Sequence, residues 1–157
     1  MLIIAHRGLT DGLDDEKQNR PDQIMFALEQ GFDAEIDVWN INGQWYLGHD
    51  EPTHIVPASF LTTQGLWIHC KNVAAFYNIR RMVVPVNYFF HDNDLLVQTS
   101  QGHVWTYFGL PETRDPSAIC VMPEANYSWA DIEQMAKKKQ WAGFCTDWPR
   151  KLKECLE

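Results

Sequence analysis

The chain has 157 residues, 45% of them hydrophobic and 13% aromatic, and a formal net charge of −8. That length is one domain's worth, residues 1–157, with apolar content enough for a real core, which excludes a disordered chain. The acidic balance excludes a basic surface for nucleic acid, so an anionic substrate would have to be met by local cations or a bound divalent metal.

Residues 2–5, Leu-Ile-Ile-Ala, read as a buried strand that ends abruptly at His6-Arg7-Gly8. The first eight residues lack the basic and long apolar regions of a signal peptide, and no apolar run reaches the length of a membrane span. Residues 9–20 are polar and read as a long loop. Pro21 suits the first turn of a helix, with Asn19 or Arg20 near its cap and Gly31 at its C-terminal end. Residues 33–39 alternate in strand fashion, and Asn42-Gly43 is a hairpin turn signal leading to a second strand at 45–48.

A loop with Pro52 and Pro57 follows, then a strand at 66–70 ending at Lys71-Asn72, then a helix over 73–82. Short strand-like runs at 86–91, 95–99, 103–107 and 118–122 come next, with gaps too short for crossover helices between all of them. Ser128 predicts an N-cap for a helix over roughly 129–140, with Asp131 in the box position. Residues 142–145 form a last strand ending at Thr146-Asp147, and residues 151–157 a short helix. Cys70, Cys120, Cys145 and Cys155 show no CxxC spacing and read as reduced thiols, three of them buried, which suits the cytoplasm.

Polar residues therefore gather at the C-terminal ends of apolar strands, which is where barrels of parallel strands carry their active sites. The expected fold is α/β: a cut-down, partly open TIM-like barrel with several helices replaced by loops. Glu35 and Asp37, two apart on one strand, share a face opposite Ala34, Ile36 and Val38. Such a pair needs compensation, which a hard divalent cation supplies. His6 and His49 each close a strand, where a histidine can titrate near neutral pH and act as acid or base.

The ordered set His6-Arg7-Gly8, Asn19, Glu35-Ile36-Asp37-Val38, Gly48-His49-Asp50, Lys71 and Gly143-Phe144-Cys145-Thr146-Asp147-Trp148-Pro149 resembles the glycerophosphodiester phosphodiesterase family, in a short form. It spans nearly the whole chain. The resemblance implies a metal-dependent phosphoric diester hydrolase acting on a small glycerophosphodiester-like molecule. It implies His6 and His49 as the acid–base pair, Arg7 and Lys71 as cations on the phosphate, and Glu35 and Asp37 as metal ligands. The family has a metal-binding Glu before the matching Asn, where this chain has Gln18, and a Glu two residues before the Lys, where it has His69. The implied shell for Mg²⁺, Ca²⁺, Mn²⁺ or Zn²⁺ is thus two carboxylates, an amide and an imidazole.

Two alternatives stand beside hydrolysis: a non-catalytic phosphate-binding module that keeps the fold, and a lyase that forms a cyclic phosphate. His91-Asp92-Asn93-Asp94 ends a strand and reads as a polar turn first and a pocket wall second, and Glu124, after another strand, is a further pocket candidate. Trp105, Tyr107 and Trp148 are read as core first and substrate contacts second, and His54 and His103 as surface or loop histidines. Oligomeric state is open.

Overall fold

Alternation along one strand organises the sheet. In a computed structural model, which describes residues 1–107 and 115–157, residues 33–41 form a single long strand, β2 (Asp33–Ile41). Its first half lies between β1 (Leu2–Ala5) and β5 (Leu66–Cys70), parallel to both. Its second half turns back through Asn42-Gly43 into β3 (Gln44–Leu47). Both turn residues are left-handed, with φ 51° and 84°, as a type I′ hairpin requires.

β3 pairs with β4 (His54–Val56), a short edge strand in the segment expected to be loop. Pro52 and Pro57 flank it, and a strand of that length has no sequence signal of its own; pairing with β3 creates it. Beyond β5 and α2 (Val73–Ile79) come β6 (Asn87–Phe89), β7 (Leu96–Gln98), β8 (Val104–Tyr107), β9 (Ala118–Val121) and β10 (Gly143–Thr146). The helix expected over 73–82 thus ends at Ile79.

The parallel run reads β6-β5-β2-β1-β10-β9-β8, with β7 antiparallel on β8. No described helix crosses between β6 and β8, as the short gaps predict. The sheet curls towards closure where Ser100 N–H donates to Tyr88 O at 2.8 Å and Tyr88 N–H donates to Ser100 Oγ at 3.0 Å.

Period-two alternation divides the apolar residues into an inside and an outside. Inside lie Ile4, Trp67, Phe89, Trp105, Ile119, Val121 and Cys145. Outside, Ala34, Ile36, Val38 and Ile68 pack with Ile24 of α1 (Pro21–Glu29) and Ala75 and Ile79 of α2. Ala118, Cys120 and Phe144 pack with Ile132 and Ala136 of α3 (Trp129–Lys137) and Leu152 of α4 (Pro149–Glu154). The apolar face opposite Glu35 and Asp37 is thus the helix-packing face, which leaves both carboxylates pointing into the barrel.

The helix starts follow their caps. Ser128 and Asp131 form a reciprocal capping box on α3. Pro21 opens α1 behind Arg20, which makes no side-chain cap. Cys70, Cys120 and Cys145 are buried and all four cysteines are unpaired. Among the described residues no helix is long and apolar enough to cross a membrane.

Candidate active site

The end of β1 is bent sharply. Residues His6–Gly8 form a tight turn kinked at its centre, with Arg7 at φ 51° and Gly8 at φ 76°, both left-handed. A Cβ at Gly8 would sit 2.8 Å from Ile24 Cγ1, so only glycine lets α1 pack this closely under the turn. The turn throws His6 and Arg7 over the C-terminal mouth of the barrel, into a cavity of about 500 Å³. Glu35, Asp37, His49, His69 and His91 line the same cavity.

His6 Nδ1 lies 2.7 Å from Asp147 Oδ1. β1 and β10 pair with Ala5 beside Thr146, which sets the residues after them side by side. Burial disfavours the charged form of His6, but the Asp147 bond and the nearby Glu35 carboxylate outweigh it and raise its pKa. For His49 burial is the largest influence and, with the nearby Arg7 and Lys71 cations, it outweighs Asp37 and the Asp50 hydrogen bond and lowers the pKa. The two histidines are pushed in opposite directions.

Asp37 is the hub of the opposite wall. Its partner in strand register is His69, whose Nδ1 is 2.9 Å from Asp37 Oδ1. Asn19, held at φ 57°, donates to Asp37 Oδ2 at 2.8 Å and accepts the Asp37 N–H at 2.9 Å. Lys71 Nζ approaches Asp37 Oδ1 at 3.7 Å, and Arg7 Nε approaches Oδ2 at 3.5 Å. Burial alone would raise the Asp37 pKa; His69, Lys71 and Arg7 reverse this and hold it well below the usual carboxylate range. Glu35 accepts the Arg7 backbone N–H at 3.1 Å, and burial beside Asp37 raises its pKa.

Glu35, Asp37 and His69 each offer one ligand atom, all within 4.8 Å of one another. Two hard carboxylate oxygens and an imidazole on one wall of a cavity fit a divalent cation. Gln18 stands apart from this cluster: Arg7 donates to its Oε1 at 2.6 Å, and it does not line the cavity.

Glu124 does not line the cavity either. It lies behind β10, where its Oε1 accepts the Thr146 hydroxyl at 2.7 Å and the Asp147 N–H at 2.9 Å. His91 does line it, stacked on His69 with ring centroids 4.5 Å apart, and burial lowers its pKa to about 4. Asn19, expected near the helix cap, instead holds Asp37, and Asp147, at the end of the last strand, orients His6. Asp92, Asp94, Trp105 and Tyr107 also line the cavity, with Trp105 still buried as core at 5% exposure.

No protein-family model matches the chain, and no curated protein matches its sequence. Among solved structures it is similar to one named "putative glycerophosphodiester phosphodiesterase from Galdieria sulphuraria", at 12% identity and a TM-score of 0.57, over 98% of this chain and 96% of that one. The two share a fold. At that identity the likeness is one of barrel architecture alone.

Proposed function

We propose that residues 1–157 form one barrel unit that cleaves a small phosphodiester by metal-assisted hydrolysis at the C-terminal mouth. The observation that carries this reading is the convergence, in one cavity, of His6 braced on Asp147, His49, Arg7 and the Glu35–Asp37–His69 cluster.

The two histidines divide the proton transfers. Asp147 favours the imidazolium of His6, so His6 is the general acid that protonates the leaving alcohol oxygen. His49, with its lowered pKa, is neutral near pH 7 and takes the proton of the attacking water. Arg7 presents a planar fork to the phosphate oxygens, with Lys71 as a second cation. Glu35, Asp37 and His69 would hold a divalent cation, His69 giving up the hydrogen bond its Nδ1 makes with Asp37. Such an ion offers charge neutralisation at the phosphoryl group. A small glycerophosphodiester suits the cavity's size and the barrel's likeness to the Galdieria structure.

One observation favours the phosphate-binding alternative. Gln18 is held by Arg7 away from the metal cluster, which leaves only Glu35, Asp37 and His69 among the described residues to hold the ion that hydrolysis needs. Purified protein assayed with Mg²⁺, Mn²⁺, Ca²⁺ or Zn²⁺ on bis-p-nitrophenyl phosphate, beside calorimetry with glycerol phosphate, separates the readings. Turnover lost in His6→Ala supports hydrolysis. Binding without turnover under every metal supports the alternative. Phosphorus NMR of the product distinguishes hydrolysis from cyclic-phosphate formation.

A further inference from the structure

The barrel interior is polar at both ends. Asp33, Glu35 and Asp37 alternate along the inner face of β2, and Asp33 stands at the mouth opposite the active cavity. There it borders a second cavity, of about 560 Å³, together with Trp67 of β5, Asn87 of β6 and His103, the residue before β8. Asn87 neighbours Trp67 in strand register. An apolar belt separates this cavity from the active one: Trp105 packs on Trp67 at 5.8 Å and on Phe89 at 4.7 Å, backed by Ile4, Ile119 and Val121.

The polar groups of this second cavity are under-satisfied. Asn87 is 7% exposed, and its Oδ1 has no hydrogen-bond partner. His103 Nδ1 is buried without a partner, its ring edge-on to Trp67 at 4.9 Å. Native proteins rarely leave buried polar atoms unpaired unless a ligand or water completes them. Asp33 Oδ2 accepts the Trp67 indole N–H at 2.9 Å, while a Cβ at Gly65 would come within 3.1 Å of Oδ1, so glycine there keeps that oxygen clear.

Among the described residues the lining contains the Asp33 carboxylate and no lysine or arginine. An anion would meet a like charge with no cation to offset it. A cation with several N–H donors meets acceptors at Asp33 and Asn87 instead. We propose that this cavity is a second ligand site, for a small organic cation of the alkylammonium or alkylguanidinium type. The reading is independent of the chemistry at the other mouth.

The test uses the full chain labelled with ¹⁵N and titrated at neutral pH with agmatine, beside succinate and 1,4-butanediol. Saturable shifts of the Trp67 indole and Asn87 carboxamide signals with agmatine alone are the expected result. Asp33→Asn should weaken agmatine about tenfold, the order expected for loss of a charge-assisted hydrogen bond. Should that variant fail to fold, Asn87→Ser serves the same purpose from β6. Shifts that do not saturate, an equal response to all three compounds, or affinity unchanged in a folded variant overturns the proposal; ordered water would then be the sole occupant.

Discussion

Asp147 Oδ1 accepts from His6 Nδ1 across 2.7 Å, joining the last strand of the sheet to the first. The bond holds one nitrogen of the imidazole and leaves the other for the cavity. Orientation and charge state of His6 therefore come from a residue 141 positions away.

Asp147→Asn should keep the shape of this contact and remove its charge. Turnover of a phosphodiester should fall by about 10²-fold or more, the scale of a lost general acid. Circular dichroism should show the fold intact. Turnover unchanged from the parent would remove His6 from the acid role.

The same bond predicts a pH dependence of stability. His6 has a folded pKa above its unfolded value of about 6.5, so the folded state binds the extra proton. Its contribution is fully present below that unfolded value and is lost as pH rises through the folded one. Denaturant unfolding from about pH 6 to pH 8 should show stability decreasing on this account. In His6→Gln that slope should flatten; an unchanged slope assigns it to another group.

Glu124 acts one step further back. Glu124→Ala removes the acceptor for both the Thr146 hydroxyl and the Asp147 N–H. Stranding those donors should cost about 1–3 kcal/mol in urea unfolding. Turnover should fall with it, because the chain that carries Asp147 loses its brace. Glu124→Gln keeps an acceptor oxygen and should recover most of the stability. If Gln and Ala behave alike, hydrogen bonding is not what Glu124 supplies.

Gly8→Ala tests how closely α1 holds the turn under His6 and Arg7. A methyl group there meets Ile24 Cγ1 at 2.8 Å and a φ of 76°. The expected loss is about 1–3 kcal/mol, from positive-φ strain together with the clash. Ile24→Ala in the same chain opens space, so the double variant should be less unstable than the two single losses added together, by thermal or urea unfolding. Simple additivity would mean that the two positions do not press on each other.

A metal that binds the folded chain should raise its midpoint of unfolding in proportion to the logarithm of metal concentration. Mn²⁺ or Zn²⁺ should do so in the parent chain, with EDTA reversing the shift. Glu35→Gln with Asp37→Asn should abolish it, since His69 alone is a weak site. A shift of equal size in the double variant would place the ion elsewhere.

Local chemistry was legible in the sequence because its causes are local. Asn42-Gly43 can adopt two left-handed residues in a row, Ser128 and Asp131 cap the helix that follows them, and alternation alone puts Glu35 and Asp37 on one face. Gathering of polar residues at strand ends also pointed to one mouth of a barrel. Which residues touch there depends on strand register, and register is set by packing across the whole sheet. Asp37 meets His69 and His6 meets Asp147 because parallel neighbours align them, over separations of 32 and 141 residues. Glu124 looked like a pocket residue because it follows a strand, yet the turn after β9 carries it behind β10. His103 looked like a loop residue because nothing nearby marks it as interior. Curling of the sheet brought it beside Asp33 and Asn87 at the far mouth. Turns, caps and the paired carboxylates follow from neighbours in the chain; the partners in the site follow from the fold, because only the pairing of strands far apart in the chain brings such residues within hydrogen-bond reach.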